Sequence, residues 1–247
     1  MFREVHQLPY GVVSADAGDF APAPGDSYRA EIAAFLLESM PLMELDAVGV
    51  GEIELGLGPS YLREAARRLP LVGANIRFGP GLAESLPAVR WVDAKGRRVA
   101  VTAYVEPLLY YEQPGAFESA DSMFVSDPRL ALESVLAAVR GKADLVVLIA
   151  HARHEHLVDL LPGLQGVDVV VEGHEPMGPR AESKVGDAFL LQPGPRAREV
   201  ALFTLTMGAQ GTVEQTGLRI FRLATLTEGD PILEAMEKDF KASHGLK

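Results

Sequence analysis

Apolar and polar positions along the chain follow two different periods. Short continuous apolar runs, "LDAVGV" at 45–50, "LPLVGANI" at 69–76, "ADLVVLIA" at 143–150 and "VDVVVEG" at 167–173, read as strands buried on both faces. A strand-like segment over Gly11–Ala15 precedes them and ends in "DAGDF". Between these runs the apolar residues recur at helical spacing. One helix is predicted from about Ser27 to Met40, with Asp26 as N-cap and Tyr28, Ile32, Phe35, Leu36 and Met40 on one face. Others are predicted over Pro59–Leu69, from Asp127-Pro128 to Gly141, and over Glu155–Leu161. "AVRWVDAKGRRVAVTAYV" at 88–105 reads as a hairpin turning at "DAKG". The irregular stretch from Glu106 to Ser126 holds Tyr110, Tyr111 and Phe117. "AFLLQPG", "EVALFTLTM" and "TVEQTGLRIFRLA" read as closing strands, and Asp230-Pro231 opens a terminal helix.

Strands alternating with helices predict an α/β fold with a largely parallel sheet, and the β-rich tail predicts a second sheet packed against it. No linker divides the chain, so a single domain over 1–247 is expected, with 228–247 as a trailing helix. Its 247 residues suffice for one sizeable core. A formal charge of −11 argues against nucleic acid or anionic lipid as the main partner. With no cysteine, disulfides and thiolate metal sites are ruled out. No apolar run is long enough for a membrane span. "MFREVHQLPYGVV" has no export signal, which leaves the compartment open.

The chemistry is expected where strands end, because ligands of open α/β sheets bind beyond the carboxyl ends of the strands. Asp19 follows "GVVSADAG", Glu52 follows "DAVGVG", His151 follows "DLVVLIA" and His174 follows "DVVVEG". A parallel sheet gathers these four at one edge. Two carboxylates and two imidazoles suit Mn²⁺, Zn²⁺ or Fe. The competing reading has the same residues as strand-end and turn residues that bind nothing, with no ion at all. Arg153 and His154 are candidates for contact with a substrate phosphate, and His156, Arg196 and Arg198 are weaker ones. Tyr110, Tyr111 and Phe117 either stack on a base or anchor their loop.

The order of these segments resembles the calcineurin-type metallophosphoesterases, and most of all the catalytic domain of the 5′-nucleotidases. "SADAGDF" is similar to that family's "DAGD" segment, and "LDAVGVGEIELG" to the stretch in which the family writes Gly-Asn-His-Glu. "LPLVGANI" resembles the "ANI" strand that follows. "ADLVVLIAH" and "GVDVVVEGHE" resemble two strands that each end in a ligand histidine, and "LLQPGPRAREVALFTL" resembles the closing strands. The resemblance runs from about Gly11 to Leu205. It implies an αββα sandwich and a two-metal site that hydrolyses phosphate esters.

Against that pattern the chain departs at several positions. No Asp-x-His strand precedes "DAGD", "GHEP" puts Pro176 where a ligand histidine is expected, and Glu52 stands for the ligand asparagine. Ile53 occupies the position of the catalytic histidine. Losing a general acid costs about 10²–10⁴-fold in rate. The resemblance therefore implies a sandwich lacking its first strand, one remaining divalent-ion site made by Asp19, Glu52, His151 and His174, and a phosphoester hydrolase by ancestry with impaired activity. Its substrate would be a phosphorylated small molecule. The alternative is a non-enzymatic binding or assembly module. An incomplete sheet would expose an unpaired strand edge, through which a partner chain or a second copy could associate. A nucleotide-specificity domain of the kind relatives carry is not expected in this chain.

Overall fold

A computed structural model describes residues 7–113, 122–174, 180–194, 198–208, 212–222 and 229–246. In chain order these form β1 (Ala15–Asp16), α1 (Arg29–Ser39), β2 (Ala47–Val48), α2 (Glu52–Gly56), α3 (Gly58–Arg68), β3 (Ile76–Phe78), β4 (Glu84–Ser85), β5 (Arg90–Ala94) and β6 (Arg97–Val105). There follow α4 (Pro107–Tyr111), β7 (Met123–Val125), α5 (Pro128–Val139), β8 (Leu145–His151), α6 (His154–Leu160) and β9 (Val169–Gly173). The tail comprises β10 (Arg180–Val185), β11 (Ala188–Gln192), β12 (Glu199–Met207), β13 (Val213–Arg222) and α7 (Pro231–Ser243).

A six-stranded sheet in the order β10-β11-β9-β8-β6-β5 is the backbone of the fold. Its centre is parallel, and the two outer hairpins are antiparallel. β8 is buried at every position, as a strand covered on both faces must be. Strand alternation divides its side chains between two layers. Val146, Leu148 and Ala150 join Leu132, Leu136 and Leu157 of α5 and α6. Leu145, Val147 and Ile149 face the other way, onto Ala17, Ala47 and Val72 around β1 and β2. The β12–β13 hairpin adds Leu205, Met207 and Val213 to that inner layer. Outside β1 and β2 lies a third cluster, in which Leu37 and Met40 meet Leu62, Leu71 and Val48. Helices, strands, strands and helices thus stack as an αββα sandwich. Each fully buried aliphatic side chain contributes roughly 1.5–3 kcal/mol.

Local chemistry explains most boundaries. Lys95 and Gly96, both at positive φ, turn the β5–β6 hairpin as "DAKG" predicts. The Asp127 carboxylate accepts from the Arg129 N–H, and Asp230 accepts from the Ile232 and Leu233 N–H groups, so both Asp-Pro pairs cap as expected.

Four expectations need correction. Asp26 is not the cap of α1: its carboxylate accepts from the Ala23 N–H within a turn, and the helix begins after Tyr28, itself in the left-handed region. "LPLVGANI" is not one strand, because only a bridge from Leu71 to Val48 and the short β3 are formed. Between them Asn75 turns inward, where its amide donates to the Val105 and Ser126 carbonyls. The stretch after Glu106 is partly ordered, as α4 and β7. Finally, the tail does not all go to a second sheet: β11 joins the six-stranded sheet beside β9, with β10, unmarked by any apolar pattern, paired to its other edge, and only β12 and β13 pair apart from it.

Candidate metal centre

The row Leu145, Val147, Ile149 continues to His151, so alternation alone carries this imidazole into the layer between the sheets, at its open end. His151 is 1% exposed. Its Nδ1 lies 2.8 Å from the Ala17 carbonyl oxygen, an acceptor, which fixes the proton on Nδ1. Nε2 then faces Glu52 Oε2 at 2.7 Å and Asp19 Oδ2 at 3.3 Å. The other oxygen of Glu52, Oε1, lies 3.2 Å from His174 Nδ1. The two imidazoles meet edge to face at 5.5 Å.

The four ligand positions reach this point by different means. Asp19 and His174 are both in the left-handed region, at φ 57° and 75°. Such a conformation costs a non-glycine residue on the order of 1 kcal/mol and concentrates at functional sites. For His174 the consequence is direct. Glu172 points toward His154 of α6, and the turn at 174 swings the imidazole back toward Glu52. Glu52 opens α2. Its start is set by Glu54, whose carboxylate accepts from the Gly51 N–H three residues back, half of a capping box.

Glu54 is fully buried and does more than cap. Oε2 also accepts from the Asp19 N–H at 2.9 Å, and Oε1 accepts from the Ala21 N–H at 2.7 Å. One carboxylate therefore ties the Asp19 turn to the Glu52 turn. Asp19 itself is anchored from the other side, its Oδ1 accepting from the Ile53 N–H at 3.1 Å. That leaves Oδ2 turned toward His151. Glycines make the crowding possible: a Cβ at Gly51 would lie 2.1 Å from Asp19 Oδ1 and 2.7 Å from His151 Cε1.

Electrostatics follow from this packing. Burial disfavours the charged form of His151, yet its hydrogen bonds to Asp19 and Glu52 hold its pKa well above the ordinary value. The hydrogen bond to Glu52 likewise raises His174. Burial works against ionisation of Glu52, and the two histidines overcome it, holding its carboxyl below the usual range. Glu54 goes the other way, pushed up to about 8 by burial and by the nearby Asp19 charge.

Asp19, Glu52, His151 and His174 each offer one ligand atom, and these atoms all lie within 4.8 Å of one another. Metal–ligand bonds of about 2.1 Å around a tetrahedral ion imply ligand–ligand edges of about 3.4 Å. From His151 Nε2 the distances to Asp19 Oδ2 and Glu52 Oε2 are 3.3 and 2.7 Å, close to such edges, while His174 Nδ1 approaches the other oxygen of Glu52, Oε1, at 3.2 Å. The donor set therefore fits one divalent cation, with two carboxylates to balance its charge.

The remaining candidates lie elsewhere. Ile53 is half-buried beside Glu52 and contributes only its N–H. The Arg153 guanidinium is engaged by Glu106, at 2.9 Å, and by Glu112. His154 Nδ1 lies 3.0 Å from Glu172, and His156 Nδ1 lies 2.7 Å from Glu106. Tyr110 is buried in the outer core, and the Tyr111 hydroxyl donates to the Val125 carbonyl. Arg198 is exposed. Phe117, Pro176 and Arg196 lie outside the described residues. Sequence reasoning passed over Glu106 and Glu172, two buried carboxylates. The signal was present, since Glu106 ends the apolar run of β6 as His151 ends that of β8.

This architecture is that of the calcineurin-like metallophosphoesterases, with likeness to the 5′-nucleotidases. Three solved structures illustrate it. The sulfate thiohydrolase SoxB of Thermus thermophilus superposes with a TM-score of 0.81 at 20% identity, over 94% of this chain and 43% of that one. A 5′-nucleotidase precursor, also from Thermus thermophilus, gives 0.81 at 19% identity, over 99% and 52%. The calcineurin-like phosphoesterase YfkN of Bacillus subtilis gives 0.70 at 14% identity, over 94% and 83%. The chain thus spans about half the length of the first two. No family model matches the sequence, and neither does any curated protein. Among the described residues no helix is long and apolar enough to cross a membrane.

Proposed function

We propose that this chain is a divergent, metal-dependent phosphoester hydrolase of low activity, acting on a phosphorylated small molecule. It would hold one divalent cation, Mn²⁺, Zn²⁺ or Fe²⁺, through Asp19, Glu52, His151 and His174. The convergence of those four ligand atoms carries the proposal. Its fold, shared with phosphoesterases and nucleotidases, supports the reaction class. A cation there supplies Lewis acidity and lowers the pKa of bound water. His151 and His174 offer lone pairs, and Asp19 and Glu52 offer charge. Arg153 and His154, at the same end of the sheet, are the proposed phosphate contacts, which requires each to leave a carboxylate partner.

One observation argues for a slow enzyme. Ile53, adjoining Glu52, can neither donate a proton to a leaving group nor stabilise charge on phosphate. The second reading, a non-enzymatic binding or assembly module, draws on the same residue. For that reading an open strand edge is the proposed contact, since among the described residues β1 pairs only with β2.

Assays of the Mn²⁺-loaded chain on a phosphomonoester and a phosphodiester distinguish the readings. The enzyme reading expects slow turnover that vanishes in His151→Ala. Turnover equal in His151→Ala, or metal binding without turnover on either ester, would overturn it, and the latter favours the module.

A further inference from the structure

The centre depends on an imidazole presenting one defined nitrogen, and the adjoining strand bears on how that is arranged. Gly173 stands directly beside His151 in the β8–β9 register. Its backbone is ordinary strand, so no left-handed conformation calls for glycine there. Space does. A Cβ at 173 would lie 2.7 Å from the Ala17 carbonyl oxygen, 2.9 Å from His151 Nδ1 and 3.0 Å from the Ala17 Cβ. The first two atoms are the acceptor and donor of the 2.8 Å hydrogen bond that sets the His151 tautomer. The bond passes through the volume that any side chain at 173 would begin to fill.

We infer that Gly173 is a positioning residue for the cation site: its missing side chain keeps open the Nδ1–H···O=C contact from His151 to Ala17, and so keeps Nε2, the nitrogen left to bind a cation, turned toward Asp19 and Glu52. This rests on the metal-site reading above. Three polypeptide segments meet at the contact, and none has slack. Ala17 is fixed at the end of β1, His151 is 1% exposed, and β9 is held by hydrogen bonds to β8 on one side and β11 on the other. A methyl group at 173 must therefore displace either the imidazole or the carbonyl. Neighbouring polar groups that orient a metal-ligating histidine are typically worth about 10–100-fold in metal affinity.

The experiment titrates Zn²⁺ into the full chain and into Gly173→Ala, and reads the ring ¹⁵N resonances of His151 in both. The control is Gly49→Ala, whose Cβ would crowd Ile149 Cγ2 at 2.8 Å but not the imidazole. Gly173→Ala is expected to bind Zn²⁺ about 10–100-fold more weakly and to lose the Nδ1-protonated signature. Gly49→Ala should stay within about 3-fold of wild type for comparable loss of Tm. Equal affinity in Gly173→Ala, or equal losses in both variants, would overturn the inference. Should Gly173→Ala fail to fold, the wild-type zinc complex decides alone: a His151 proton on Nε2 refutes the assignment, and one on Nδ1 supports it. A wild-type chain that binds no Zn²⁺ would instead remove the underlying metal-site reading.

Discussion

Glu54→Ala is expected to lower the stability of the chain by about 3–5 kcal/mol, the largest effect of any single substitution around the centre. The carboxylate accepts from three N–H groups, those of Asp19, Ala21 and Gly51, and is itself fully buried. Alanine leaves those donors without their partner and opens a cavity where water has no ready access. Each orphaned buried donor costs about 1–3 kcal/mol. Domains have only about 5–15 kcal/mol of net stability, so the loss is a large part of the whole. The damage should also be local in a diagnostic way, because Glu54 joins the Asp19 turn to the Glu52 turn. Amide exchange in those two segments should accelerate before exchange in β8 does. Glu54→Gln keeps the shape but, above about pH 8 where Glu54 is ionised, puts a donor in place of an accepting oxygen toward at least one N–H, and an intermediate loss of about 1–3 kcal/mol is expected there. Denaturant unfolding of the three proteins measures this, and a Glu54→Ala loss below about 1 kcal/mol would contradict the role assigned.

Without metal, stability is expected to fall as pH rises from about 6.5 to beyond 8. The folded state raises the pKa of His151 and His174 above the ordinary 6.5. It raises Glu54 from 4.5 to about 8. A raised pKa means that the folded state binds more protons than the unfolded one. Its stabilisation is complete below the unfolded pKa and is lost as pH climbs through the folded value. All three groups act in this direction across the window, each with a limiting slope of about 1.4 kcal/mol per pH unit. Glu52, held low by the two histidines, acts oppositely, and its contribution is lost only in acid, below about 4.5. A bound cation needs neutral imidazoles and ionised carboxylates, so it competes with those protons. The Tm gained on adding Mn²⁺ or Zn²⁺ should therefore widen with pH. A metal-free Tm that is flat or rising between about pH 6.5 and 8.5 would contradict the arrangement.

Much of this centre was legible because a parallel sheet converts position along the chain into position in space. The parity that sends Val147 and Ile149 inward also sends His151 inward, and the apolar run that announces β8 thereby marks its last residue. His174 falls one residue past the inward parity of Val169 and Val171, and Asp19 and Glu52 follow β1 and β2 of a separate two-stranded sheet, so the four residues meet between two sheets instead of along the edge of one. Other features had no local signature. The left-handed turns at Asp19 and His174 are imposed by their surroundings, and no side-chain pattern marks them. α2 is five residues long, too short for periodicity, and depends on a cap that the sequence shows only as two glutamates near a glycine. The ion pair between Glu106 and Arg153 spans 47 residues, and neither residue announces the other. β10, "RAESKV", is polar and forms because β11 is next to it.

Whether Asp19, Glu52, His151 and His174 grip one cation in common is decided by the metal content of the purified chain after equilibration with Mn²⁺ or Zn²⁺, beside each of the four alanine variants. One equivalent in the wild type, with marked loss in every variant, is the predicted result. No bound metal in the wild type, or retention of a full equivalent in His151→Ala, would contradict it.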